Sequence, residues 1–299
     1  LNFELYKNKG LSGCKLHLID SVLVRKSSPN LNYNKRLESQ MNKQKSFNIP
    51  SLSEVKTPIV YNSGYINDLF YFDMEYINGQ QPLDIFISGT KMEIKNISNN
   101  IENYFDCLFY SLSPSVQIEI EIDHFKLSNR KKLISLYEKS NYGNFITYLI
   151  NIIDNIECVN FRISNCHGDF TIANMIYCDN SLYLLDFLDS YIESPIIDLV
   201  KLKQDLYHNW LLLNSNYSNQ ESFRAIQTSL YLWEIISHKY SEYIDTLEFR
   251  IIEAINFLRI EPYIDHKKKI LLDKIIKSLD IYEEFNNTNG GQIVKISKY

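Results

Sequence analysis

The 299-residue chain is poor in alanine, glycine, proline and tryptophan. Alanine occurs only at Ala173, Ala225 and Ala254, while asparagine, isoleucine, lysine and tyrosine abound, a coding bias of the source and not a functional signal. Nine glycines and seven prolines exclude collagen-like and low-complexity linker chains. Five cysteines stand at Cys14, Cys107, Cys158, Cys166 and Cys178, an odd number at irregular spacing with no Cys-x-x-Cys pair. That pattern excludes a disulfide scaffold and leads to the expectation of reduced thiols in a cytoplasmic setting. Basic excess is missing too: the net charge is −5, so a nucleic-acid partner is not expected. No apolar run reaches the length of a membrane span, since the best stretch, Phe145 to Ile156, is broken by Asn151, Asp154 and Asn155. The start, Leu1-Asn2-Phe3-Glu4-Leu5, has no basic end leading into an apolar run, so no signal peptide is expected there. No internal repeat has a solenoid period.

What is present is an ordinary globular composition, 45% apolar and 22% charged, long enough for roughly two domains. Ile19 to Lys26 reads as a strand, rich in β-branched residues and ended by Ser27-Ser28-Pro29-Asn30. Arg36 to Phe47 is helix-compatible, with Leu37, Met41 and Gln44 near one face. Tyr71 to Tyr76 is an aromatic strand closed by Asn78-Gly79. Glu119 to Asp123 alternates like a surface strand. From about Pro82 helices dominate, over Gly143 to Glu157, Glu221 to Ile236, Glu248 to Leu258 and Lys267 to Leu279. The expected layout is α+β, a small β-rich lobe over residues 1–79 and a larger helical lobe over residues 80–299.

The most informative stretch begins Cys166-His167-Gly168-Asp169-Phe170-Thr171-Ile172-Ala173-Asn174 and ends Leu182-Tyr183-Leu184-Leu185-Asp186-Phe187. Two short apolar strands flank Asp179-Asn180-Ser181, the pattern of a β-hairpin. If the turn centres on Asn180, Asn174 and Asp186 face each other at roughly 5 Å. An amide oxygen and a carboxylate at that distance suit one hard cation, and Asp169 stands on the loop entering the hairpin. Phosphoryl transfer uses such a set: one carboxylate takes the acceptor hydroxyl's proton, and an Asn and an Asp hold Mg²⁺ against the nucleotide phosphates. A lone His-Gly-Asp arises by chance; its conjunction with Asn174, the hairpin and Asp186 is what carries weight.

His-Gly-Asp-x4-Asn, an apolar strand and Asp-Phe, followed by Pro195-Ile196-Ile197-Asp198-Leu199, resembles the aminoglycoside phosphotransferase and choline kinase family. These are small-molecule kinases with a bilobal protein-kinase-like fold. The resemblance implies Asp169 as catalytic base, Asn174 and Asp186 as Mg²⁺ ligands, and His167 and Asp198 as supports of the catalytic loop. Gly10, Ser12 and Gly13 resemble the phosphate loop. Val22 to Lys26 resembles the strand with the phosphate-binding cation; alternation lets only one of Arg25 and Lys26 face the cleft, and Lys26 is favoured while Arg25 stays open. Glu38, the one acid on the following helix, is the candidate partner of that cation. Phe72 to Gly79 resembles the adenine-binding hinge, with Met74 as the inner wall and the backbone of Glu75 and Ile77 as hydrogen-bonding groups. The resemblance covers most of Gly10 to Leu199, and it implies ATP and Mg²⁺ as cofactors. A protein kinase fits less well, since His-Gly-Asp stands for His-Arg-Asp and no Ala-Pro-Glu follows.

The resemblance implies a small-molecule hydroxyl as the acceptor. Lys201, Gln204, Asp205 and His208 share one helical face, and Gln204 and Asp205, with Asp189 nearby, are candidate acceptor contacts. That mixture of charges suits a sugar or related metabolite of surface-polysaccharide pathways better than a polycation, which needs several carboxylates. An aminoglycoside or choline kinase, or a nucleotide-binding pseudokinase module, is the alternative.

Overall fold

The computed structural model describes residues 3–5, 13–47, 54–110, 118–159, 161–214, 217–264, 266–279 and 281. The chain opens with three antiparallel strands, β1 (Phe3–Leu5), β2 (Lys15–Ile19) and β3 (Leu23–Ser27). The single strand expected over Ile19 to Lys26 is broken instead by a tight turn at Asp20 and Ser21, both at positive φ, so Ile19 ends one strand and pairs with Leu23 of the next. Asp and Ser form turns readily because short polar side chains bond locally to the backbone. Helix α1 (Asn34–Ser46) follows, then β4 (Val55–Lys56), β5 (Val60–Ile66) and β6 (Leu69–Glu75). One sheet has the order β1-β2-β3-β6-β5. Val24, Phe70, Phe72 and Met74 share one face of it and pack with Leu37 and Met41 of α1, so period-2 strands and a period-3.6 helix meet in one core.

Helices α2 (Pro82–Ser88), α3 (Lys91–Tyr110), α4 (Ile118–Tyr137) and α5 (Gly143–Asn155) come next. Residues 119–123 therefore lie in a helix, not in the expected surface strand. Ile118, Ile122 and Phe125 recur at helical spacing as well, and Phe125 is fully buried, so the alternating pattern was the weaker of two periods in the same segment. The hairpin β7 (Met175–Cys178) and β8 (Ser181–Leu184) joins β4 in a second, three-stranded sheet of order β4-β8-β7. The chain ends in α6 (Pro195–Leu206), α7 (Asn219–Lys239), α8 (Ser241–Ile244), α9 (Leu247–Ile260) and α10 (His266–Ser278). Strands in the N-terminal part and helices through the larger C-terminal part give the α+β, bilobal protein-kinase-like fold.

Two compact units are interleaved along the sequence. One comprises Leu1–Leu112, His167–Asp189 and Tyr217–Thr228, and holds both sheets together with the His167–Asp169 loop. The other comprises Ser113–Cys166, Ser190–Asn216 and Ser229–Tyr299, and is helical. All five cysteines are free thiols, and no helix among the described residues is long and apolar enough to cross a membrane.

Candidate active site

The turn between β7 and β8 consists of two residues, Asp179 and Asn180, at φ 48° and 60°. Positive φ at both positions is the type I′ geometry, whose twist matches that of the flanking strands, and Asp and Asn tolerate it. Ser181 is already in β8, where it donates to Glu54 at 3.1 Å. The register expected from a turn centred on Asn180 shifts accordingly. Met175 pairs with Leu184, and Leu185 N–H donates to the Asn174 carbonyl at 2.9 Å. Asn174 thus opposes Leu185, and Asp186 lies one residue beyond.

The loop before the hairpin is built around His167 and Gly168. Gly168 has φ 85°, and a Cβ there would sit 2.1 Å from the Leu188 carbonyl oxygen. Only glycine lets residues 167–169 lie flat against the 185–189 segment. His167 is completely buried; its Nε2 lies 2.7 Å from the Leu185 carbonyl, and its Nδ1 is 3.2 Å from the Asp169 amide nitrogen. A carbonyl only accepts and an amide N–H only donates, so the ring is neutral with its proton on Nε2. Burial pushes the His167 pKa down to about 4, outweighing the nearby Asp169 carboxylate. A neutral imidazole bonded on both sides orients the loop and is no proton shuttle at neutral pH. Beneath it lie stacked and tilted rings: Phe187 at 4.2 Å from His167, and Tyr104 at 4.2 Å from Phe170. The Tyr104 hydroxyl accepts from the His167 N–H at 3.2 Å. Asn174 Nδ2 donates to the Asp169 carbonyl at 2.9 Å and to its carboxylate at 3.0 Å, tying the two residues together.

Strand β3 separates the two basic candidates by alternation. Arg25 points to the outer face, where it makes a two-pronged bond to Asp73 at 2.7 and 2.8 Å and lies over the Tyr71 ring. Lys26 is 3% exposed and points the other way, donating to Asp186 at 2.8 Å and to the Gln40 amide oxygen at 3.2 Å. Burial alone lowers the Lys26 pKa, but the Asp186 carboxylate and its hydrogen bond more than offset this, so the ammonium stays charged. Glu38 is not its partner. The side chain that α1 sends to Lys26 is Gln40, because two helical residues are about 200° apart around the axis and Glu38 faces elsewhere. Asp186 has φ 59°, a left-handed state that costs about 1–2 kcal/mol outside glycine.

Helix α1 holds further residues whose involvement the sequence did not reveal. Ser39 hydrogen-bonds Asp189, and Lys43 Nζ donates to the Leu188 carbonyl at 2.7 Å. The signal available was the spacing of Ser39, Gln40 and Lys43 at i, i+1 and i+4, beside the apolar Leu37 and Met41. Asp189, expected as an acceptor contact, is engaged by α1.

At the end of β6, Met74 is buried and Tyr76 N–H donates to the Val22 carbonyl at 2.9 Å. Alternation of the ladder turns the Glu75 backbone toward the opposite edge, where its N–H donates to the Ile59 carbonyl at 2.8 Å. Gly79 follows, and a Cβ there would lie 2.4 Å from the Tyr177 carbonyl of β7. The chain therefore passes flush against the hairpin, joined by mutual Gln80–Tyr177 backbone bonds at 2.8 and 3.0 Å. Gly13 is exposed at φ 70°; Gly10 and Ser12 lie outside the described residues.

In the helical unit, Asp198 is fully buried in the first turn of α6, after the Ser194 cap and Pro195. Lys201, Gln204 and Asp205 are buried as well, and Gln204 accepts from Asn256 of α9 at 2.8 Å. The polar face of α6 is thus interior packing and not a solvated or open face. Lys203 and His208 converge on Glu253, itself fully buried, at 2.7 and 2.9 Å. Burial raises the Glu253 pKa, yet the His208 hydrogen bond and the Lys203 charge win and hold it below the usual carboxylate range.

No group of three or more His, Cys, Asp or Glu side chains among the described residues is arranged to hold a metal. The donor set at the hairpin is of another kind. Asn174 gives its amide N–H to Asp169, which leaves Oδ1 open, and Asp186 gives one oxygen to Lys26, which leaves the other open on a side chain 42% exposed. One amide and one carboxylate oxygen suit a hard ion such as Mg²⁺, which takes few protein ligands and keeps water or phosphate for the rest.

No protein-family model matches the sequence, and no curated protein is similar to it. Solved structures are similar in fold. The ADP-bound aminoglycoside phosphotransferase APH(2″)-Ib is 18% identical, with TM-score 0.53 over 95% of this chain and 94% of that one. A GDP and kanamycin complex of a second APH(2″) enzyme is 13% identical, with TM-score 0.55 over 96% and 94%. The GDP complex of aminoglycoside 2′-phosphotransferase-IIIa is 13% identical, with TM-score 0.52 over 96% and 90%. Likeness at this identity concerns the fold, along nearly the whole of each chain.

Proposed function

We propose that this protein transfers the γ-phosphoryl group of ATP to a hydroxyl of a small molecule. The observation that carries the reading is the pairing of Lys26 with Asp186 at 2.8 Å and of Asn174 with Asp169 at 3.0 Å within one compact unit, at adjoining positions of the loop and hairpin. Asp169 takes the proton of the attacking hydroxyl, and the Asn174 amide keeps its carboxylate turned to that task. Asn174 Oδ1 and the open Asp186 oxygen would hold Mg²⁺. When bound, the ion supplies charge neutralisation at the nucleotide phosphates. Lys26 serves the same phosphates as a buried ammonium, and the Glu75 carbonyl and Ile77 N–H take the adenine edge. His167 acts by supporting the loop. The setting is cytoplasmic, in keeping with five free thiols.

The acceptor reading changes. The preference for a sugar rested on α6 offering an open mixed-charge face, and that face is buried against α9. An aminoglycoside acceptor is the better supported alternative, because the solved structures of like fold are aminoglycoside phosphotransferases. Labelled ATP incubated with aminoglycosides, sugars and amino alcohols, read by mass spectrometry, tests both. Transfer to an aminoglycoside alone establishes that acceptor; transfer to none, with ATP still bound, favours a pseudokinase module. Asp169→Asn should abolish transfer and leave ATP binding within about threefold, as for a residue that acts only in the reacting complex.

A further inference from the structure

Asp186 keeps its backbone at φ 59°, a state a non-glycine residue holds only where its neighbours over-determine it. On its N-terminal side Leu185 is pinned twice, by the Asn174 carbonyl at 2.9 Å and by His167 Nε2 at 2.7 Å. On its C-terminal side Leu188 is also pinned twice. Its N–H donates to the His167 carbonyl at 3.0 Å, and its carbonyl accepts from Lys43 Nζ at 2.7 Å. Three of these bonds come from the 167–174 loop and hairpin; the fourth comes from α1 and is the one that is charge-assisted. The same ammonium lies 3.5 Å from the position of a Cβ on Gly168, so it abuts the residue before Asp169. Ser39 and Gln40, on the same face of α1, reach Asp189 and Lys26. Neither bonds the short stretch between Asp186 and Asp189.

We propose that Lys43 is a positioning residue. Its ammonium closes the fourth bond around the strained Asp186, and so aims the open carboxylate oxygen at the ion. This rests on the reading of Asp186 as a Mg²⁺ ligand given above. A lysine that merely tied a helix to a loop would affect melting and leave metal dependence alone; a positioning lysine alters metal dependence as well.

The test is calorimetric titration of ATP, in excess Mg²⁺ and again in EDTA, on wild type, Lys43→Met and Lys43→Arg, with thermal melting of each. Lys43→Met should weaken Mg²⁺-ATP binding about tenfold or more, the scale of lost support behind a metal ligand. Metal-free ATP binding should hold within about twofold, and Lys43→Arg should recover most of the loss, since it restores a cationic donor. Equal losses with and without Mg²⁺, or no loss, overturn the proposal. Should Lys43→Met fail to fold, Lys43→Gln keeps a neutral donor and is held to the same split. A wild type whose ATP affinity ignores Mg²⁺ overturns the Asp186 reading and this proposal together. A wild type whose Mg²⁺ enhancement survives in Lys43→Met overturns the Lys43 proposal alone.

Discussion

Substituting Gly168 by alanine probes how the loop is held. The new methyl would lie 2.1 Å from the Leu188 carbonyl oxygen, roughly 1 Å or more short of ordinary contact. That oxygen cannot retreat freely, because Lys43 and, through the Leu188 N–H, His167 hold the residue in place. Three costs add. The φ of 85° costs an alanine about 1–2 kcal/mol, loss of the charged bond from Lys43 about 1.5–3, and loss of the backbone bond about 1. Gly168→Ala should therefore destabilise by about 3.5–6 kcal/mol. Gly13→Ala is the control, since Gly13 has φ 70° but a Cβ there would first meet Pro29, at 3.6 Å, among the described residues. Only the dihedral cost, about 1–2 kcal/mol, applies there. Denaturant melts of both variants, followed by far-UV circular dichroism, measure the difference. Equal destabilisation of the two refutes the argument, because it means the carbonyl contact is relieved at no cost.

The remaining predictions concern charge. His167 is neutral when folded, with pKa about 4 against 6.5 when unfolded, so the unfolded chain binds the extra proton between those values. Stability should be fully present above pH 6.5 and fall by up to about 3 kcal/mol toward pH 4, and the drop should shrink in His167→Gln; an unchanged profile argues against the neutral buried ring. Lys26→Met should change stability by less than about 1.5 kcal/mol, since an apolar side chain of similar volume avoids burying a charge, while ATP affinity falls at least tenfold; a large loss of stability would contradict this. Glu253→Gln should destabilise by about 3 kcal/mol by leaving Lys203 and His208 without their carboxylate, and Lys203→Met in that background should recover part of it, as measured by a double-mutant cycle.

Much of the site was legible because its signals are local. Asp169, Asn174 and Asp186 bracket two short apolar strands, and a turn of Asp and Asn makes those strands a hairpin whatever surrounds it. Even there the register slipped by one position, because the turn takes only Asp179 and Asn180 and Ser181 already pairs with Cys178 in the ladder. Helices α5, α7, α9 and α10 were placed within a few residues by apolar spacing, whereas residues 118–125 carried two periods at once and only packing chose the helix.

The choice between Arg25 and Lys26 shows the boundary. Alternation along β3 dictates that they point apart, and this is a property of the chain itself. Which face meets Asp186 and which meets Asp73 depends on the side of the sheet against which α1 packs. The same holds for Gln40 in place of Glu38, for the Lys43 bond to Leu188, and for the polar face of α6. Helical spacing tells which side chains share a face, but a polar face looks the same in sequence whether water or another helix covers it. The sequence by itself determined strand β6, helices α5, α7, α9 and α10, the hairpin and the order of Asp169, Asn174 and Asp186, because each follows from contacts within a few residues. Only the tertiary structure decided the partners of Lys26, Asp186 and Gln204, because hydrogen-bond and ion-pair partners are set by which surfaces burial brings together.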